Sequence, residues 1–190
     1  NIFTRENEMD KDSRRQMLRT DATSNFEITN EANFVNNGIP VTKFYNIYKD
    51  GSKPSSSEAW TDFPLFRLGE IYLNLAEAVL RGGQGATKAE ALGYLNDLRK
   101  RAYTDKLAAP ISDSDFNLNF MLDERGREMF YEAQRRTDLV RFGKYTGGDY
   151  VWPWKGGVAE GKAVDSFYAV YPIPSDDIGS NENLRQNEGY

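Results

Sequence analysis

Apolar and polar positions repeat with a helical period through the middle of the chain. From Leu65 to Arg81 the polar residues Arg67, Glu70, Asn74, Glu77 and Arg81 fall inside an arc of about 80°, while Leu65, Leu68, Ile71, Leu73, Leu75, Val79 and Leu80 fill the rest of the circumference. A helix apolar over most of its surface is expected to lie inside a protein. Its one polar stripe must then meet other polar side chains. Thr61 or Asp62 is the expected cap, Pro64 suits the first turn, and Gly82-Gly83 stop the helix after Arg81.

A second helix opens on the capping box Thr87-Lys88-Ala89-Glu90 and runs to about Tyr103 through Ala91, Leu92, Leu95 and Leu98. The short link between the two predicts an antiparallel hairpin. Leu65, Leu68, Gly69 and Tyr72, followed by Ala91 and Leu95, match most of the tetratricopeptide pattern. Gly69 costs a helix interior about 1 kcal/mol and predicts a close approach of two helices. A single repeat of this kind leaves faces that stacked neighbours have to cover. With an opening text that is polar and lacks Met, this predicts that the chain is the C-terminal part of a longer protein.

Ser112 or Ser114 can cap a third helix reaching about Ala133. Along it Glu124, Glu128 and Glu132 recur every four residues and would repel one another unless cations answer them. Arg125, Arg135 and Arg136 project on or beside that arc, which predicts a buried ion-pair lattice rather than a solvated face. Thr137 to Lys144 reads as a separate turn of helix. Residues 1–60 read as an irregular lead-in with short strands, the clearest being Val41 to Tyr48, followed by a Ser-rich loop from Lys53 to Glu58. Residues 61–190 form the helical portion, and beyond 145 turns and extended aromatic pieces are expected to replace regular helix.

Composition narrows the chemistry. With 24 basic and 29 acidic residues the formal net charge is −5, and Arg14, Arg15 and Arg19 make only a local cluster, so there is no electrostatic footprint for nucleic acid. The absence of Cys and His removes disulfides, thiol nucleophiles, histidine bases and nearly all zinc sites. No cofactor and no metal is expected. The acidic runs Ser112 to Asp115 and Ser175 to Asp177 lack calcium-loop spacing, and helix capping is the expected role of each.

Four blocks, in order, then resemble one family. They are Asp62 to Arg67 leading into Glu70 to Ala78; Leu95 to Ala102; Asp123-Glu124-Arg125 with Glu128, Asp138, Arg141 and Gly143; and Tyr171-Pro172-Ile173-Pro174 with Gln186 to Tyr190. This text is similar to the SusD/RagB family of outer-membrane glycan-binding lipoproteins. The resemblance implies a mostly α fold of tetratricopeptide-like helical repeats with irregular loops and short β-strands. It also implies an oligosaccharide ligand, a SusC-like TonB-dependent transporter as partner, and attachment to the outer face of the outer membrane only through a lipid anchor that this chain does not carry. Similar Trp-Lys-Gly-Gly text, here Trp154 to Gly157, occurs among starch-type members, and the C-terminal residues would dock on the helical body.

Arg67, Glu70, Glu77, Glu124, Arg125, Glu128, Asp138 and Arg141 are therefore expected to form a structural lattice. A glycoside hydrolase fragment using Glu124 and Glu128 is the enzyme-class alternative. A tetratricopeptide scaffold for protein partners is the other. Tyr150, Trp152 and Trp154 present flat rings suited either to a pyranose face or to loop packing. Trp60 reads as a staple or core residue.

Overall fold

The computed structural model describes residues 12–17, 28–30, 32, 38–55, 60–103 and 110–190. Arg19 and residues 56–58 of the expected Ser-rich loop lie outside them. The chain divides into a unit ending at Arg135 and a second unit, Arg136–Tyr190. Among the described residues the fold is helical and without a sheet, with five α-helices and three short 3-10 turns.

Helix α1, Leu68–Leu80, packs on α2, Lys88–Ala102, and on α3, Leu118–Glu128. Leu73 and Ala76 meet a core that includes Leu95 and Leu98 of α2 and Met121 and Leu122 of α3, all buried. The Tyr72 and Tyr94 rings stack at 4.5 Å across the hairpin. Helix α2 opens as predicted: Glu90 N donates to Thr87 Oγ1 at 3.2 Å while Thr87 N donates to the Glu90 carboxylate at 2.8 Å. Helix α1 also stops as predicted. Gly82 at φ +83 lets its N–H reach Val79 O and the Gly83 N–H reach Ala78 O, which satisfies two carbonyls of the last turn.

The start of α1 differs from the prediction. Thr61, Asp62 and Pro64 lie in an extended lead-in, and the helix begins only after Arg67, which is itself extended and makes no side-chain cap bond. Pro64 disfavours helical geometry in the residue before it, and the side chain of Arg67 is committed to α3, so a local capping signal loses to tertiary ion pairing. Trp60 accordingly has no helical turn to staple and is 66% exposed. Leu65, Leu68 and Ile71 are exposed as well, so the expectation of a helix buried over most of its surface holds only on its Leu73–Ala76 side.

Helix α3 is shorter than expected. Asn117 is its cap, accepting from Phe120 N at 3.0 Å, while Ser112 instead closes a turn with Asp115. The helix ends before Glu132, and Tyr131 and Ala133 adopt positive φ. Two carbonyls released there are taken up by side chains: Arg67 donates to Glu128 O at 2.5 Å and Lys43 to Phe130 O at 2.9 Å. Val41 to Tyr48 forms no strand, and only Val41 enters an isolated bridge. Among the described residues no strand runs beside Thr42 to Tyr48, and β-propensity reflects packing against such a neighbour.

Helix α4 spans Arg135–Arg141, all but its first residue in the second unit, and α5 spans Ser175–Ser180, with Ser175 to Asp177 forming the first turn of α5 rather than a side-chain cap. The C-terminal residues are ordered by the Tyr171–Pro174 segment. Gln186 exchanges two bonds of 2.9 Å with the backbone of Ile173, Asn187 donates to Tyr171 O, and the Tyr190 hydroxyl donates to Val170 O.

Candidate functional site

Two constellations carry the chemistry. The first is an ion-pair lattice centred on α3. Glu124, fully buried, accepts from Arg14 at 2.7 Å and from Arg127 at 2.7 Å, with Arg99 at 3.5 Å. Glu128 accepts from Arg14, Arg67 and Arg101. Glu132 joins Arg67 and Lys43 from the turn beyond the helix. Arg125 lies 3.8 Å from Glu77 and donates to Asn74 Oδ1 at 2.7 Å. Burial pushes the Glu124 carboxyl up, but Arg14, Arg127 and Arg99 outweigh it and hold the group well below the usual carboxylate range. Desolvation lowers Arg14, and Glu124 with Asp12 reverses that.

Of the predicted lattice residues, Arg67 with Glu128 and Glu77 with Arg125 meet across the α1 side and α3, while Glu124 is answered from the 12–14 segment, α2 and α3 itself. Glu70 is buried, yet its Oε2 makes no hydrogen bond among the described residues. Asp138 and Arg141 pair with each other on α4 at 2.7 Å. Arg135 donates to Leu122 O, and Arg136, expected to answer the glutamate row, donates to Tyr168 O and Ala169 O while lying 3.8 Å over the Tyr171 ring. The cations that sequence reasoning missed are Arg14, Lys43, Arg99, Arg101 and Arg127. Arg127 was readable as the i+3 neighbour of Glu124. Arg14 left no local signal of its place in the lattice, because its glutamate partners are 110 and 114 positions away and the one near partner is Asp12.

Gly69 has a sharper reason than close helix packing. A Cβ there would stand 2.5 Å from Arg67 Nη1 and 3.0 Å from Glu128 Oε1. The missing side chain is the space through which that ion pair forms.

The second constellation lies wholly in the second unit, in the loop from Tyr145 to Tyr168. Gly147 and Val164 form an antiparallel bridge that closes it. Inside, Lys155 is 2% exposed and donates to Gly147 O at 2.8 Å and Tyr150 O at 2.7 Å. Burial pushes this ammonium down, against the opposing influence of Asp149. At Gly161, φ +75, a Cβ would be 2.3 Å from Trp152 O, so only glycine fits. The resulting cavity of about 560 Å³ is walled by Tyr145, Trp152 and Tyr168 and edged by Lys155, Lys162 and Asp165. Of the three aromatic residues singled out from the sequence, only Trp152 lines it. Tyr150 stands behind Trp152 at 6.3 Å, and Trp154, at positive φ, heads the Lys155–Gly157 turn outside the lining. Tyr145, Tyr168 and Asp165 were not singled out, since nothing local distinguishes them from other loop residues.

Among the described residues no group of side chains is arranged to hold a metal ion, and no helix is long and apolar enough to cross a membrane.

Comparison with known proteins places these features. A SusD family model matches residues 4–190. The starch-binding protein SusD of Bacteroides thetaiotaomicron is 42% identical over 178 residues, 93% of this chain and 29% of that protein. A SusD superfamily protein from the same organism superposes with a TM-score of 0.65 at 27% identity, over 93% of this chain and 37% of that one. Surface glycan-binding protein A of B. thetaiotaomicron superposes with a TM-score of 0.55 at 31% identity, over 78% and 29% respectively. The chain therefore spans less than a third of the length of the starch-binding relative.

Proposed function

The chain belongs to the SusD family, and from that premise we propose that it serves in non-catalytic binding of glycans at the cell surface and in their delivery to a SusC-like TonB-dependent transporter. The observation that carries this reading is the 42% identity to a starch-binding protein across 93% of the chain. Starch-type α-glucans are accordingly the proposed ligand class, and the outer face of the outer membrane, reached through a lipid anchor, the proposed location.

The lattice supports a role without hydrolysis. A glycosidase needs one carboxyl that keeps its proton near neutrality and a second open to the sugar. Glu124 is buried and held ionised by three arginines, and Glu128 is enclosed by three more contacts of the same kind. Both carboxylates are buried and engaged by guanidinium groups rather than open to a sugar.

The test is calorimetric titration of maltoheptaose into the full-length polypeptide that carries this chain, alongside an assay for released reducing ends. Binding without release is expected. Release that disappears in Glu128→Gln would establish the hydrolase reading instead, and capture of peptides with no affinity for any glycan would establish a protein scaffold.

A further inference from the structure

The cavity of the 145–168 loop has a composition that restricts its ligand. Its volume of about 560 Å³ lies inside the roughly 300–1,000 Å³ range of small-molecule sites. Three aromatic rings form its walls. The Tyr168 ring is 45% exposed and is backed by Phe167 at 4.2 Å and by the edge of Tyr190 at 6.2 Å, so it is a supported platform rather than a loose side chain. Trp152 is braced by Tyr145 at 6.1 Å and by the Lys155 ammonium 4.7 Å from its ring.

Two charged heads remain for a ligand. Asp165 stands at the cap position of the Ser166–Ala169 turn but makes no cap bond, and its carboxylate has no other partner among the described residues. The stem of Lys162 crosses Gly156, where a Cβ would meet it at 2.7 Å, and its ammonium is likewise unpaired among the described residues. The charge of Lys155 is already taken up by two carbonyls. Lys162 and Asp165 then cancel, so the site has no net preference for an ionic ligand.

We propose that this cavity is a carbohydrate subsite for a neutral pyranose, in which Tyr168 and Trp152 cover the C–H face of the ring, Asp165 accepts from its hydroxyls, and Lys162 donates to them. A pyranose offers an apolar face together with both donors and acceptors on its rim, which is the combination these six side chains complement. The assignment rests on the glycan-binding reading and deepens it by locating a contact surface in the last third of the chain. It replaces Tyr150 and Trp154 by Tyr168 and Asp165 as ligand contacts.

The test uses the full-length polypeptide, an array of neutral and acidic oligosaccharides, and calorimetry with maltoheptaose for wild type, Tyr168→Ala, Asp165→Asn and Trp154→Ala. Tyr168→Ala and Asp165→Asn should each weaken binding about tenfold, or remove one equivalent of bound sugar, while Trp154→Ala leaves both unchanged. Should a variant fail to fold, 5-fluorotryptophan in the unsubstituted protein supplies the readout. The Trp152 resonance, assigned through Trp152→Phe, should shift as maltoheptaose is added, and a resonance that stays fixed at saturation overturns the subsite. Glycan binding with unchanged affinity and stoichiometry in Tyr168→Ala and Asp165→Asn overturns the subsite while leaving the broader function standing. A polypeptide that binds no glycan on the array overturns both. Preference for uronate or sulfate sugars through Lys162 overturns the neutral assignment.

Discussion

Gly69 sits where a helix former would be favoured and an ion pair forbids it. Alanine at this position would gain about 1 kcal/mol of helix propensity. Its Cβ, however, would fall 2.5 Å from Arg67 Nη1, displacing a guanidinium that neutralises Glu128 and Glu132. Leaving a buried charge without its partner costs about 3 to 5 kcal/mol. Arg67 keeps a quarter of its side chain in solvent and can shift partway, so Gly69→Ala should destabilise by a net of about 2 kcal/mol. Denaturant unfolding measures this, and a variant as stable as wild type would mean that the pair forms without the space glycine provides. Sequence alone marks Gly69 as a point of close approach but does not name the neighbours, because periodicity reports which face a residue occupies and not that Arg67 and Glu128 of α3 cross it.

Helix boundaries divide by the range of the interaction that sets them. The capping box of α2 involves residues three apart and was legible in full. The stop of α1 at Gly82 was legible for the same reason. The entry to α3 was not, since Ser112, Ser114 and Asn117 are all acceptable caps and their ranking depends on which turn the preceding loop completes. Ser112 is occupied by Asp115, leaving Asn117 at the helix. Asn117→Ala should therefore cost about 1 kcal/mol, whereas Ser114→Ala should stay within about 0.5 kcal/mol of wild type. Thermal melts of the two variants check this, and the reverse order would restore the earlier start of the helix.

At the scale of the first unit, the lattice ties the 12–14 segment, Lys43, the start of α1, α2 and α3 into one electrostatic network, so its titration is a property of that unit rather than of one helix. Glu124 and Glu132 are both held below the usual carboxylate range, each against the opposing influence of burial. With the folded pKa depressed, the unfolded chain takes up protons first as pH falls. The stabilisation is thus fully present above the ordinary carboxylate pKa and is lost progressively below about pH 5. The melting temperature should be nearly level near neutrality and fall steeply on acidification. Glu124→Gln should lower it at pH 7 and flatten the acid slope, and an undiminished slope in that variant would show that Glu124 does not carry the effect.

What the sequence determined by itself is the class of the fold, the family, the α1–α2 hairpin and the presence of a glutamate–arginine lattice on α3. These rest on helical period, caps and compositional balance, which act over a few positions and survive without knowledge of contacts. Tertiary structure alone decided that Arg14 completes the lattice from 110 positions away, that Arg67 delays the start of α1, and that Glu132 reaches the lattice from a turn rather than a helix. It also decided that Tyr168 and Asp165 join Trp152 around one cavity. Each of these depends on where a loop returns, and loop closure is governed by partners distant in sequence that no local pattern encodes.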